Sequence, residues 1–386
     1  MMLNIKDAKT KETVLIFGLL SSAIIFITQI LHPIDETTSL RSPQLNSRYT
    51  FSGIQNAEWC KPPTEDPLPY DQCKFTDSIF RIGVHGGLTN ALHFILKGAL
   101  WAFEEDMCFF VDEISPSGSK MAYRETPEGS INPFLTRYFE PIGQPRESEN
   151  VQQYLKDNKI IDIGYHQIQY HEYGKASGGL QIEDYEGRHK IRDIQPLHLW
   201  EKDNIWLKKH ILRRLFRIKA GERNRSCARL VSHGLNDEYI ALSVRRGDKA
   251  LEYELESSMQ PYIDHAENAI KSHFGGKVPV LFVATDDCTV MEDLRTLRPS
   301  WKFISECDKA QNDQNGFVIE EMKYWTLDQT DQHYHKFITE LIAMASAKFF
   351  IGVSTTNVSL FLYWMRAYEQ EDDTWVFVDT DHDFVH

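Results

Sequence analysis

The chain has 386 residues, of which 42% are hydrophobic and 25% are charged, a balance typical of globular rather than disordered or fibrous proteins. At about 100–200 residues per domain, this length predicts two packed domains beyond the N-terminus. The formal net charge of -14 argues against nucleic acid as a partner, because nucleic acids select basic surfaces. A negatively charged ligand would therefore need a local basic pocket on an acidic body.

The first feature along the chain is an uncharged apolar run at residues 14–31, which is about long enough to cross a bilayer. Lysines precede the run and acidic residues follow it, so the positive-inside rule keeps residues 1–13 in the cytoplasm. A cleaved signal peptide and a buried core helix are the alternatives, but no convincing small-x-small cleavage site follows the run. We expect a single-pass, type II signal anchor in the lipid bilayer, with the remaining chain in the lumen of the Golgi or the endoplasmic reticulum.

Residues 32–76 form a polar stretch rich in Pro, Ser and Thr, which is typical of a stem between a membrane anchor and a folded unit. In an oxidising lumen the cysteines are candidates for disulfides, and sequence alone does not choose the pairing. Cys60 and Cys73 are a candidate local pair. Because there is no CxxC pair and no Cys/His cluster, a zinc site is not expected.

A βαβ pattern follows the stem. Residues 79–84 and 107–112 are short apolar runs that predict strands, and residues 89–103 between them have a helical pattern. This order predicts a parallel sheet with ligands at the carboxyl ends of its strands. Gly86 and Gly87, directly after the first strand, would let the backbone approach a ligand closely, although a plain turn explains them equally well.

The middle of the chain has no sustained periodicity. Residues 115–201 predict loops that shape an acceptor surface. Residues 201–220 predict a basic amphipathic helix that packs Ile205, Leu212 and Phe216 inward, with a membrane-surface role as the alternative.

The second half returns to the alternation of strands and helices. The predicted strands are residues 238–244, 279–285, 301–305, 348–353 and 374–379, and the predicted helices are 258–273, 290–297 and 331–347 with one more after the turn at 354–357. This alternation predicts an α/β chain with two Rossmann-like domains, at residues 77–230 and 231–386. Neither a P-loop nor a GxGxxG motif occurs, so a standard dinucleotide site is not indicated.

The basic loop RRGDK follows the strand at residues 238–244. Arg245 and Arg246 are adjacent, so we expect their side chains to point to different sides and only one to face a ligand. A guanidinium donates two hydrogen bonds to phosphate oxygens and stays charged, so it suits a leaving diphosphate. Asp248 could orient an arginine and Lys249 could add positive charge. A surface ion cluster and a chance RGD adhesion tripeptide are the alternatives.

Four sequence blocks resemble the α1,6-/protein O-fucosyltransferase superfamily. They are HGGLTNALHF (85–94), SVRRGDK (243–249), FVATDD (282–287) followed by RPSWKFIS, and ITELIAMASAKFFIGVSTTNVS (338–359). The resemblance implies a GT-B fold of two Rossmann-like domains with a cleft between them. It also implies an inverting reaction without a metal cofactor, with GDP-fucose as the nucleotide-sugar donor and a glycan or glycoprotein as the acceptor.

The resemblance also implies particular donor-binding residues. In it, Arg245 grips the β-phosphate of the donor, Glu340 reads guanine, and the STTN turn lines the phosphates. The implied donor-binding set is Gly86, Gly87, Ser243, Arg245, Arg246, Asp248, Asp286, Asp287, Glu340, Thr355, Thr356 and Asn357.

Catalytic roles are expected for Arg245, Lys249 and one carboxylate. The position of the family's acidic catalyst is occupied here by Tyr253, which glutamates flank. We expect Glu254 to be the general base that takes the proton of the acceptor hydroxyl, although a solvated acidic helix start is the alternative.

The chain departs from the family at two donor-side positions. Ser243 stands where the family usually has a histidine that contacts the base, and Leu360 replaces an arginine. These changes leave two further hypotheses open. One is a transferase for another nucleotide sugar, and the other is a catalytically silent, membrane-tethered glycan-binding or scaffold protein.

Other candidate metal ligands are weaker. The pair Asp286-Asp287 lacks the spacing of a manganese DxD motif, and Asp379 and Asp381 lie in the expected C-terminal tail. His333 and His335 are expected to be surface histidines rather than metal ligands. The sequence therefore predicts no metal site.

Overall fold

The computed structural model describes residues 53–64, 73, 75, 77–83, 87–104, 107–113, 123–125, 131–133, 135–163, 180–183, 189–192, 212–247, 258–307, 324–354, 356–366 and 374–379. All described residues belong to one compact unit, which spans Phe51–His386. Within these ranges no helix combines the length and apolar character that crossing a membrane requires. The anchor predicted at residues 14–31 lies outside the described residues.

The described part of the chain is mixed α/β. In chain order its strands are β1 (Ile79–Gly83), β2 (Phe109–Asp112), β3 (Tyr123–Glu125), β4 (Ile131–Pro133), β5 (Ile160–Ile163), β6 (Leu180–Glu183), β7 (His189–Arg192), β8 (Tyr239–Val244), β9 (Val280–Thr285), β10 (Phe303–Ser305), β11 (Phe349–Gly352) and β12 (Trp375–Phe377). Its helices are α1 (Leu88–Glu104), α2 (Leu135–Tyr138), α3 (Glu149–Lys156), α4 (Ala220–Ser232), α5 (Gln260–His273), α6 (Val290–Leu297), α7 (Leu327–Ala345) and α8 (Asn357–Met365).

The first sheet is parallel and has the strand order β2-β1-β5. Helix α1 connects β1 to β2 and packs on the sheet through Gly98. A Cβ atom at Gly98 would lie 2.8 Å from Cδ1 of the buried Ile82, so glycine allows this close approach. The βαβ unit predicted from the apolar runs is confirmed.

Residues 115–201 are not only loops, so the prediction for this region was wrong in part. The region contains two antiparallel hairpins, β3-β4 and β6-β7, as well as α3 and the sheet strand β5. Helix α3 begins at Ser148, whose side chain accepts a hydrogen bond from the amide of Val151. Val151 is the one residue of α3 that is fully buried. A helix with so small an apolar face gives little periodic signal.

The prediction of a helix over residues 201–220 was wrong at the C-terminal end of that range. Leu212 and Phe216 are buried as expected, whereas Ile205 lies outside the described residues. The chain leaves helical structure after residue 215, and Ile218 forms an antiparallel bridge with Phe139. Helix α4 then begins at Ala220, so a helix starts where one was expected to end.

The second sheet is parallel, with five strands in the order β10-β9-β8-β11-β12. Its central strand β8 is buried at every residue, because helices cover both faces. Ile240 and Leu242 share a hydrophobic cluster with Ile263 of α5. Ala241 belongs to the cluster of Ile342 on α7. The predicted alternation of strands and helices is thus confirmed, and the predicted bounds of α6 match.

Three disulfides join the six cysteines: Cys60–Cys227, Cys73–Cys108 and Cys288–Cys307. The candidate pair Cys60–Cys73 was wrong. The amide of Ile54 donates to the carbonyl of Leu235, which docks the segment before Cys60 beside α4 and its Cys227. The pairing therefore follows from tertiary packing rather than from proximity in sequence.

Candidate functional site

The carboxyl edge of the second sheet brings three sequence motifs together. Strand β8 ends before Arg245, the neighbouring β9 ends before Asp286, and β11 on the other side of β8 ends before the STTN turn. Because all of these strands are parallel, their carboxyl ends lie along one edge. The expected site is therefore built from residues that are far apart in sequence.

Arg245 is held by a buried carboxylate. Its Nε atom lies 3.2 Å from Oδ2 of Asp286, and the Asp286 side chain is 5% exposed. The other oxygen of this carboxylate accepts a hydrogen bond of 2.9 Å from the amide of Arg246. Asp286 thus fixes the Arg245 side chain and the loop that carries it.

The side chain of Arg246 points away from that of Arg245, toward the start of α6. Its Nη1 atom lies 3.0 Å from the hydroxyl of Thr289 and 3.5 Å from Asp287, and Nη2 lies 2.8 Å from Asp293. Asp287 also accepts a 2.9 Å hydrogen bond from the amide of Thr289. The two arginines therefore separate as expected from their adjacency, and it is Arg245 that lies on the side of α7.

Glu340 on α7 lies close enough to Arg245 to interact with it electrostatically. Its side chain is buried, and burial raises the pKa of its carboxyl to about 8. The positive charges of Lys336 and Arg245 act to lower that pKa, whereas Glu306 and Asp286 act to raise it further. The Nζ atom of Lys336 lies 3.8 Å from Oε1 of Glu340. Glu340 therefore holds its proton at neutral pH while it lies among charged groups.

Ser243 lies on β8, two residues before Arg245, and is 2% exposed. Its neighbour in the sheet is Ala284 of β9. The Ser243 side chain therefore lies inside the packed sheet, next to the loop that carries Arg245.

The STTN turn is fixed by Asp379. The two oxygens of the Asp379 carboxylate accept hydrogen bonds of 2.7 Å and 3.0 Å from the amide and the hydroxyl of Ser354. Thr356 caps α8, since its hydroxyl accepts from the amide of Ser359. Asn357, the first residue of α8, donates a 3.2 Å hydrogen bond to Asn90 on α1. The start of α8 therefore lies against the helix of the first sheet.

Several predicted residues cannot be placed. Gly86, Asp248, Lys249, Glu254 and Thr355 lie outside the described residues, as do Tyr253 and Asp381. Gly87 is described, and a Cβ atom there would meet none of the described atoms within 4 Å. Its carbonyl accepts from the amide of Ala91 at the start of α1, as in an ordinary helix start.

His335 is not a surface histidine, which corrects the expectation. It is buried and forms a hydrogen-bonded pair with Glu222 of α4. Next to this pair, the hydroxyl of Thr339 lies 2.9 Å from that of Ser226. These polar contacts join α7 to α4.

His333 and Lys336 are site neighbours that the sequence reasoning missed. Burial lowers the pKa of His333 to about 3, and the positive charges of Lys336 and Arg245 lower it further. The imidazole is therefore neutral at physiological pH, and its ring lies among Trp325, Tyr334 and Phe337. The available signal was the spacing of residues 333, 336 and 340, which puts them on one face of a helix.

No metal site is evident in the parts of the chain that the structure describes. There, no group of three or more His, Cys, Asp or Glu side chains is placed so that it could hold an ion. Asp379, one half of the weak DxD candidate, is instead bonded to Ser354.

Comparisons with known proteins gave matches among solved structures alone. No protein-family model and no curated protein matches the sequence. NodZ α-1,6-fucosyltransferase soaked with GDP-fucose matches at 12% identity and a TM-score of 0.43, over 75% of this chain and 93% of that chain. NodZ from Bradyrhizobium matches at 13% identity and a TM-score of 0.44, over 74% and 92% of the two chains.

Two further solved structures are similar at the same level. POFUT1 in complex with GDP matches at 13% identity and a TM-score of 0.41, over 79% of this chain and 99% of that chain. A variant of Arabidopsis thaliana FUT1 in complex with GDP matches at 13% identity and a TM-score of 0.39, over 79% and 75%. Both NodZ structures are of a fucosyltransferase. At such identities they say nothing about individual site residues.

Proposed function

We propose that this protein is an inverting, metal-independent glycosyltransferase that moves fucose from GDP-fucose to a glycan or glycoprotein in the secretory pathway. The observation that carries this proposal is the position of Arg245. Buried Asp286 holds its guanidinium at the carboxyl edge of a doubly covered parallel sheet, where ligands of such sheets bind. Glu340 of α7 interacts with it electrostatically.

Sugar transfer from a nucleotide sugar without a metal ion is helped by such an arginine. In the proposed reaction the acceptor hydroxyl attacks C1 of fucose, the bond from C1 to the diphosphate breaks, and the anomeric centre inverts. Negative charge then builds on the departing diphosphate. A fixed cation stabilises that charge more in the transition state than in the ground state. Arg245 would supply this stabilisation in place of a metal ion, and Glu254 would accept the proton of the acceptor.

The remaining contacts to the donor would come from residues at the same carboxyl edge of the second sheet. The capped start of α8 presents backbone amides, and helix N-termini favour phosphate groups. The carboxyl of Glu340 has the chemistry to read the hydrogen-bond donors of guanine. Because Ser243 has a short side chain, the contact between the protein and the nucleotide base of the donor is the least constrained part of the proposal. Another nucleotide sugar is therefore the alternative donor.

In this proposal the two parallel sheets belong to the two Rossmann-like domains of a GT-B fold, with the donor in the cleft between them. The hydrogen bond from Asn357 to Asn90 supports this arrangement, because it joins the start of α8 to the helix of the first sheet.

We also propose a lumenal location, with residues 14–31 as the membrane anchor. All six cysteines are paired in disulfides, which supports an oxidising compartment. The lipid bilayer would then be a partner through the anchor, and the acceptor would be a glycan on the same side of the membrane.

Turnover of nucleotide sugars by the full-length chain tests the proposal. GDP release and sugar transfer are measured with a panel of donors, with and without EDTA. The wild type is compared with Arg245→Lys, which keeps the charge but loses the planar fork. We expect GDP-fucose turnover that is indifferent to EDTA and about a hundredfold slower in the variant.

The matched control is Arg298→Lys, because Arg298 is also ion-paired, to Glu267 at 2.6 Å, but precedes β10 instead of following a strand. Its activity should equal that of the wild type. Activity with a different donor would replace fucose in the proposal. Binding of GDP without turnover, with acceptors supplied and the protein folded, would leave a glycan-binding or scaffold protein.

A further inference from the structure

Helix α7 presents three chemically different side chains toward the carboxyl edge of the second sheet. His333, Lys336 and Glu340 are spaced by three and four residues, so they follow one another along a single helix face. Arg245 acts electrostatically on both His333 and Glu340, the two ends of this row. Lys336 therefore lies between two groups that both sense Arg245.

The ammonium of Lys336 reaches the edge of the sheet. Its Nζ atom lies 3.5 Å from the carbonyl oxygen of Thr285, the last residue of β9, and 3.8 Å from Oε1 of Glu340. Thr285 directly precedes Asp286, the residue that holds Arg245. Both described contacts of the ammonium are long, and its side chain is 23% exposed. An ammonium has three donors, so it retains capacity for a stronger acceptor.

The charge balance around Lys336 favours an anion. Glu340 holds a proton at neutral pH because burial raises its pKa to about 8, so it offers Lys336 little negative charge. Glu306, which acts electrostatically on Glu340, is paired with Arg229 and His233. Asp286 balances one of the two cations, Arg245 and Lys336. In the parts of the chain that the structure describes, the one carboxyl group within 4 Å of the Lys336 ammonium is therefore the protonated Glu340.

We propose that Lys336 binds the diphosphate of the nucleotide-sugar donor as a second cation beside Arg245. This inference rests on the proposed function and names a residue that neither the motifs nor the resemblance indicated. The two cations would differ in role. Arg245 is fixed by Asp286 and gives directional hydrogen bonds, whereas Lys336 is a more loosely held point charge.

Nucleotide binding by the full-length chain in mild detergent tests the inference. Dissociation constants for GDP, GMP and guanosine are measured by calorimetry for the wild type, Lys336→Met and Lys336→Arg. Loss of one charge-assisted contact should weaken GDP binding by about tenfold or more in Lys336→Met. GMP should lose less, guanosine should change by less than about twofold, and Lys336→Arg should recover most of the GDP affinity.

The control is Lys348→Met, because Lys348 is paired with Glu238 and lies at the amino end of β11, away from the site. It should bind GDP as the wild type does. Unfolding curves show whether Lys336→Met is folded, and Lys336→Gln is the second neutral variant if it is not.

The outcomes separate the inference from the proposed function. Unchanged GDP binding in a folded, neutral variant of Lys336 overturns the inference and leaves the proposed function intact. An equal loss for guanosine and GDP also overturns it, because Lys336 would then act on the base through Glu340. A wild type that binds no GDP refutes the proposed function itself, and the inference with it.

Discussion

Replacing Glu340 with glutamine tests the electrostatics of the site with little change in shape. Burial raises the pKa of Glu340 from its ordinary value of 4.5 to about 8. Between these values the folded protein holds a proton that the unfolded chain has released. This group therefore stabilises the fold fully below its ordinary pKa, and that stabilisation is lost as the pH rises through about 8.

The size of the effect follows from linkage. Each pH unit between the two pKa values lowers the free energy of unfolding by about 1.4 kcal/mol for one such group. From pH 5.5 to 7.5 the wild type should therefore lose roughly 2–3 kcal/mol relative to Glu340→Gln, which has no proton to release. As the pH rises, the free energy of unfolding of Glu340→Gln should therefore increase relative to that of the wild type.

Urea denaturation at three pH values between 5.5 and 7.5 measures this gap. The matched control is Glu267→Gln on the solvent side of α5, which removes a carboxylate that is paired with Arg298. Parallel dependence on pH for the wild type and Glu340→Gln would refute the reasoning. It would mean that Glu340 is ionised in the folded protein, with Lys336 and Arg245 outweighing its burial.

Substitutions at two further positions, Gly98 and Asp379, test side-chain packing and a hydrogen bond, respectively. Gly98→Ala should destabilise the fold by about 1–2 kcal/mol in thermal or urea unfolding, because the new Cβ would press on Ile82, and overpacking outweighs the gain in helix propensity. Gly221→Ala, where a Cβ atom meets no described atom within 4 Å, should not destabilise it, and equal losses in the two variants would contradict this account. Asp379→Asn should cost about 1–2 kcal/mol and weaken GDP binding, because one acceptor for Ser354 is lost from the STTN turn. An unchanged affinity for GDP in Asp379→Asn would show that the STTN turn does not belong to the donor site.

Strands and helices of the second sheet were predictable because their signals are long and consistent. Strand β8 is apolar except for Ser243 and is bounded by charged residues, and α6 has a clear amphipathic pattern. The separation of Arg245 and Arg246 also followed from their adjacency. These features depend on local sequence alone, so no knowledge of the fold was needed.

Features that depend on distant contacts were not predictable. Strand β5 has only four residues, and its place beside β1 is set by the sheet rather than by its own composition. His335 is buried because α4 supplies Glu222 as its partner, and α4 itself was missed. The spacing of Lys336 from Glu340 pointed to the site only once α7 was seen against the ends of β8 and β9.

A buried, protonated glutamate beside two cations makes sense in a site that a ligand completes. Burial outweighs the attraction of Lys336 and Arg245, so Glu340 keeps its proton at neutral pH. Under the proposed function, a bound diphosphate would engage those cations, and the guanine edge would offer hydrogen-bond donors to Glu340. Such donors favour the ionised carboxyl. The negative diphosphate would act in the opposite direction, so release of a proton on GDP binding would show that the guanine donors outweigh it.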